Sequence, residues 1–229
     1  MRYFNVKEAV FLSRPNRFIA IVSVDGAEET VHVKNTGRCE MLLYEGVRVM
    51  LEQSSNATRK TKYDLISVYC DGMGWINIDS MAPNALIKEW LEKDNSLFPG
   101  IDYLKPECDY GESRIDFYME KEDRRIFIEA KGCTLAKLGM GYFPDAPSER
   151  AVKHLRELTA AVKDGYECYI AFVIQMNGIT HVCPNREIDP DFADALRDAI
   201  KGGVKILNLR CQVKADEITI VNYGIIDCL

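Results

Sequence analysis

Short apolar or alternating runs divided by turn residues recur through the first 80 residues, and three later stretches carry apolar residues at helical spacing. Period two marks half-buried strands and a period near 3.6 marks amphipathic helices. The first region predicts strands at 17–24, 29–34, 47–51, 62–70 and 75–79, with turns at Asp25-Gly26 and Asp71-Gly72. Five or so short strands divided by turn signals predict a small β-barrel, and the OB-fold suits this size.

The pattern then changes. Pro83 opens a helix carrying Leu86, Ile87, Trp90 and Leu91 to about residue 93, and a strand follows at 103–107. Two alternating arms come next, from Ser113 to Glu120 and from Arg125 to Lys131. A long helix over 147–163 has Ala151, Val152, Leu155, Leu158 and Val162 as its apolar stripe. Residues 166–175 read as a buried strand, and Asn177-Gly178 as a hairpin turn into 179–183. Asp189-Pro190 caps a last helix stopped by Gly202-Gly203, and strands at 204–213 and 217–221 close the chain. The expected class is α+β with two domains, a barrel over 1–82 and an αβββαβ domain over 83–229.

The two arms carry the chemistry. Ile115, Phe117 and Met119 share a face with Ile126, Ile128 and Ala130, which leaves Asp116, Glu129 and Lys131 on the other. With a turn over 121–124, Glu120 opposes Arg125 and Asp116 opposes Glu129. Like charges so placed are about 5 Å apart at their β-carbons and repel. Mg²⁺, or Mn²⁺ in its place, would relieve them, because hard cations take carboxylate oxygens. Lys131 would reach the same spot as a point charge. The other reading is a solvated surface hairpin laced by ion pairs.

The Asp, spacer and Glu-x-Lys resemble the core motif of the PD-(D/E)xK nuclease superfamily, whose Pro position is not kept here, and the αβββαβ order resembles the restriction-endonuclease-like core in which that motif sits. A wider resemblance covers residues 14–213. It rests on Asn35-Thr36-Gly37, Arg59-Lys60, Pro83-Asn84 with Glu89, Tyr110 to Phe117, Glu129-Ala130-Lys131, Phe143-Pro144-Asp145-Ala146, Arg150, Lys153-His154-Leu155 and Ile188-Asp189-Pro190. Together they resemble the sugar fermentation stimulation protein family of DNA-binding proteins. The resemblance implies an N-terminal OB-fold, a nuclease-like C-terminal domain and DNA as partner, its strandedness undetermined. Asp116 and Glu129 become metal ligands, Lys131 their neighbour, and Glu89 a further acidic candidate. Gly132-Cys133-Thr134-Leu135 departs from the Asn-Val-Thr-Leu frequent after the family's Glu-x-Lys, and Arg38 replaces the usual small residue after Asn-Thr-Gly.

Candidate phosphate contacts are Arg14, Arg17, Arg59 and Lys60 in the barrel, with Asn35 in an exposed turn and Tyr63 or Tyr44 as a stacking platform. Arg150 and Lys153, with Arg156, put positive charge on the long helix, which also reads as a solvated face. His154 reads as a packed or exposed side chain rather than a general base. The Phe143–Ala146 segment reads as a loop over the site.

Composition narrows these readings. Net charge is −6, with residues 1–82 balanced at 10 basic and 10 acidic, so nucleic-acid binding would depend on local patches. No apolar run reaches the roughly 20 residues of a membrane span, and the start lacks a signal-peptide core, so a cytoplasmic protein without membrane contact is expected. Eight cysteines without any C-x-x-C read as reduced and structural. The expectation is a DNA-binding protein with a Mg²⁺-dependent phosphodiesterase site. The alternative is a non-catalytic DNA-binding regulator, favoured by the acidic balance.

Overall fold

The computed structural model describes residues 1–35, 37, 39–56, 58–93 and 96–226. Thr36 and Arg38, named above, and Cys228, one of the eight cysteines, lie outside the described residues.

The first domain is built from β1 (Val6–Asn16), β2 (Ile19–Val24), β3 (Ala27–Val33), β4 (Arg48–Gln53), β5 (Tyr63–Cys70) and β6 (Gly74–Asn77). The sheet order is β3-β2-β1-β4-β5-β6, and a parallel β3–β5 pairing through His32–Asp64 and Val33–Leu65 closes the first five into an OB-like barrel. The expected strands are present. Unforeseen is β1, the longest, whose alternation is broken by two register shifts between Phe11 and Asn16.

The chain then forms α1 (Ala82–Glu92), β7 (Tyr103–Tyr110), β8 (Ser113–Lys121) and β9 (Arg124–Cys133). A small hairpin of β10 (Leu135–Lys137) and β11 (Met140–Phe143) precedes α2 (Glu149–Lys163). The rest is β12 (Glu167–Ile174), β13 (Val182–Pro184), α3 (Pro190–Lys201), β14 (Lys205–Val213) and β15 (Ile218–Ile226). Ser148 and Asp189 cap α2 and α3, their side chains accepting from the N–H groups of Ala151 and Phe192.

The main sheet runs β15-β14-β12-β9-β8-β7, with β12 parallel to both β9 and β14. Apolar residues of α1 pack on one face with Phe117, Ile128 and Tyr169. On the other face lie Leu155 and Leu158 of α2 and Leu196 of α3, in an apolar cluster continuous with the barrel interior at Val22, Val49 and Leu65. The OB barrel followed by a restriction-endonuclease-like α/β domain is therefore the observed architecture.

The Asn177-Gly178 hairpin does not form. Strand β12 is bonded on both edges, to β9 and β14, so no edge is free for a returning strand. Asn177 instead spans β14 and the barrel: its Nδ2 donates to the carbonyls of Met73 and Val213, and its Oδ1 accepts from the N–H of Val213. Strand β13 pairs in parallel with β11.

A buried polar seam joins the domains. The Asn77 N–H donates to the carbonyl of Gln175 at 2.9 Å, and Gln175 Nε2 returns a bond to Asn77 Oδ1 at 2.8 Å and another to the carbonyl of Asp79 at 3.0 Å. Met1 to Tyr3 cross to the second domain, with Met1 and Ile218 exchanging backbone bonds. Among the described residues no helix is long and apolar enough to cross a membrane, and the seven described cysteines are free thiols.

Candidate metal centre

The arms form a hairpin in the expected register: Glu120 faces Arg125, and regular pairing runs from Lys121–Arg124 to Phe117–Ile128. The six apolar residues are buried. The register brings Asp116 and Glu129 one step beyond the last regular pair, where Asp116 Oδ2 accepts from the Ala130 N–H at 2.8 Å. Its Oδ1 accepts from Asn84 Nδ2 at 2.8 Å, so the first turn of α1 fixes the second oxygen.

Glu129 is not on a solvated face. Strand β9 is central, its two faces both covered, and Glu129 is only 1% exposed. Its Oε1 takes Lys131 Nζ at 2.5 Å and also meets His154 Nδ1. Its Oε2 is buried with no hydrogen-bond partner. Burial works against the Glu129 charge, but Lys131 and then His154 hold the carboxyl below the ordinary glutamate range. Asp116 moves the opposite way: burial first, then the Glu129 charge, push it above the usual aspartate range. The surface-hairpin reading fails on this burial.

His154 is 4% exposed and comes from the inner face of α2. Arg150, one turn earlier, donates from Nε to His154 Nε2 at 3.4 Å. Nδ1 lies against Glu129 Oε1, its shortest contact, and also 3.4 Å from Lys131 Nζ; a carboxylate oxygen can only accept, so the Glu129 contact calls for a proton on Nδ1, in keeping with the Arg150 donor at Nε2. Sequence reasoning left His154 aside. The available signal was a polar ring inside the apolar stripe Ala151, Leu155 and Leu158.

Glu89 stands elsewhere. It lies five residues beyond Asn84, roughly 140° round the helix, and its carboxylate binds the Met1 amino group at 2.7 Å and Lys93 Nζ at 2.6 Å. Both partners hold it below the ordinary glutamate range. Its expected place beside Asp116 is corrected accordingly. Among the described residues no group of three or more His, Cys, Asp or Glu could hold a metal ion, and Asp116 and Glu129 are the two carboxylates of the candidate site.

Several candidate phosphate contacts are engaged in structure. Arg14 donates to the carbonyls of Arg17, Asn35 and Gly37, fastening a barrel loop. Asn35 turns inward, its Nδ2 bonding the carbonyl of Ile78 and its Oδ1 the N–H of Gly37, so it is not the exposed polar turn expected. Arg59 makes a two-pronged pair with the buried Asp64, both contacts at 2.8 Å. Tyr63 is buried and offers no platform, whereas Tyr44 is exposed. Arg17 and Lys60 are exposed. Lys153 is exposed, donating to the carbonyl of Glu112 at 3.1 Å.

A cavity of about 320 Å³ opens between the domains, lined by Ser80, Pro83, Gly132, Gln175 and the Phe143–Ala146 loop. That loop thus lies beside the Lys131–Gly132 step. Gly132 is a close-approach residue: a β-carbon there would fall 2.3 Å from Gln175 Oε1 and 3.0 Å from Pro83 Cγ.

A closed OB-like barrel and a mixed sheet carrying a paired Asp, Glu and Lys define an OB-fold protein with a restriction-endonuclease-like domain. Two family models match in sequence, the SfsA N-terminal OB domain over residues 12–78 and the sugar fermentation stimulation protein RE domain over 81–217. The chain belongs to the sugar fermentation stimulation protein (SfsA) family. It is 52% identical over 218 residues to a sugar fermentation stimulation protein homolog of Desulfitobacterium hafniense, covering 95% of this chain and 94% of that one. A homolog from Ruminiclostridium cellulolyticum is 50% identical over 220 residues, covering 96% of each. In structure the chain is similar to Pyrococcus furiosus SfsA in complex with Ca²⁺, with a TM-score of 0.86, 26% identity, and coverage of 97% and 96%.

Proposed function

We propose that this protein is a cytoplasmic DNA-binding phosphodiesterase that uses a divalent cation, Mg²⁺ or Mn²⁺, held by Asp116 and Glu129. The observation that carries the reading is Glu129 Oε2, a buried carboxylate oxygen without a partner beside a second carboxylate whose charge disfavours its own. Buried acceptors are almost always bonded, so one without a partner calls for an explanation such as an ion. A hard cation fits a donor set made of carboxylate oxygens, and the similar Pyrococcus protein was solved with Ca²⁺. When bound, such an ion stabilises charge on a phosphate oxygen and acidifies water.

The chain's own residues would do the rest. Asn84 and the Ala130 N–H hold Asp116 in one orientation. Lys131 supplies a fixed positive charge next to Glu129, available to a phosphate oxygen. Exposed Arg17 and Lys60 on the barrel, and Lys153 on α2, would contact the nucleic-acid backbone.

A second reading, a non-catalytic DNA-binding regulator, is favoured because no group of three or more His, Cys, Asp or Glu among the described residues could hold a metal ion. Incubation with single- and double-stranded DNA, with Mg²⁺, Mn²⁺ or EDTA, separates the two. Metal-dependent cleavage abolished by Asp116→Ala and by Lys131→Ala is expected. DNA bound but uncut, equally by wild type and variants, would establish the regulator. DNA neither bound nor cut would overturn both. In the metal-free protein Asp116→Asn should raise stability, because it removes a charge facing Glu129 while a flipped Asn84 amide keeps the contact.

A further inference from the structure

The orientation of Glu129 is set from α2, by a side chain outside the Asp and Glu-x-Lys motif. Glu129 Oε1 is shared by Lys131 Nζ and His154 Nδ1, and the imidazole is turned by Arg150 at Nε2. Lys131 comes from the same strand, two residues on, so it follows any movement of β9 and cannot anchor Glu129 against it. His154 is nine-tenths or more buried in the rigid stripe of α2 and is independent of that strand. Both donors converge on one oxygen, which leaves the other, Oε2, bare and fixed in place.

We propose that His154 is a positioning residue for the metal centre, and that Arg150 acts with it by holding the ring in the Nδ1–H tautomer. This rests on the reading of Asp116 and Glu129 as cation ligands. The imidazole does not ligate the cation; its N–H pins one Glu129 oxygen so that the other faces the ion. Residues that orient a ligand in this way typically change metal affinity 10- to 100-fold when removed. Arg150 is thereby reassigned from DNA contact to support of the ring.

The test has two readouts that need no turnover. The chain has three histidines, His32, His154 and His181, so a long-range ¹H–¹⁵N spectrum of the metal-free protein is readily assigned. His154 is expected as the Nδ1–H tautomer, and an Nε2–H ring would overturn the proposal. Mn²⁺ alone is then titrated by calorimetry into wild type, His154→Ala, His154→Asn and Asp116→Ala. His154→Ala should bind about 10-fold or more weakly, and His154→Asn, whose amide reaches the Nδ1 position, should recover most of the loss. Wild-type affinity in His154→Ala, with Asp116→Ala defective, would overturn this inference alone. The same holds for a folded His154→Asn as weak as His154→Ala. A wild type that takes no Mn²⁺, or takes it equally after Asp116→Ala, would overturn the metal-centre reading and this inference with it.

Discussion

Gln175 occupies the space where a side chain on Gly132 would be, with Oε1 2.3 Å from the position of the missing β-carbon. The glycine follows Lys131 directly, and the glutamine is one half of the bonded pair that joins the domains. Any side chain at 132 must push Gln175 off Asn77 or bend β9 beside the carboxylates.

Gly132→Ala should therefore lower stability by about 1–3 kcal/mol, the usual cost of overpacking a close site. Urea unfolding measures it. Retained stability would mean that the seam yields freely, contrary to its burial.

Two adjacent cations on the barrel should behave oppositely. Arg59→Ala leaves the buried Asp64 with less compensation and should cost about 1–3 kcal/mol. Arg59 is first among the cations holding Asp64 below the ordinary aspartate range, against its burial. Lys60→Ala should leave thermal stability unchanged while reducing the salt dependence of DNA binding by about one unit of slope. Fluorescence anisotropy across a salt series reads the second effect. An unchanged slope would exclude Lys60 as a phosphate contact.

Glu89→Gln should leave Mn²⁺ affinity as in wild type, since Glu89 is committed to Met1 and Lys93. Calorimetry beside Asp116→Ala checks this. A matching loss in the two variants would return Glu89 to the centre.

Acid should weaken the fold partly through Glu167. Burial opposes its charge, but Lys205, Tyr169 and Arg124 outweigh it and bring the carboxyl down from 4.5 to about 2. A lowered folded-state value gives stability that is present above the unfolded value and is lost as pH falls from there through about 2. Glu167→Gln should cost on the order of 2–3 kcal/mol at pH 7. The difference should vanish near pH 2 in denaturant titrations, and a gap that persisted there would point to lost packing.

Much of this architecture was legible in the chain. The hairpin register followed from the charged turn and from strict alternation in both arms, and the cap of α3 from Asp189. Strand β1 was missed because its bulges break the alternation at Ser13, and β10 and β11 because a few residues cannot display a period. The Asn177-Gly178 turn misled because a dipeptide carries no information about which sheet edges are already bonded. At the candidate site, strict alternation placed Asp116, Glu129 and Lys131 on one face, but spacing alone did not show that Glu129 is buried. Nor did it show the contact of His154 with Glu129, since that joins residues 25 apart through tertiary packing. Arg14 and Arg59 looked like surface cations because their targets, backbone carbonyls and a buried aspartate, leave no mark in composition.

The bonded pair of Asn77 and Gln175 has a mechanical consequence. Both side chains are buried, so rotating one domain against the other would strand two amides without water to replace their bonds. The molecule then works as a caliper locked at one setting rather than a jaw. On the proposed reading, a strand lying along the barrel would meet the carboxylates at a fixed offset, and selection would fall on whichever polymer geometry already spans that distance.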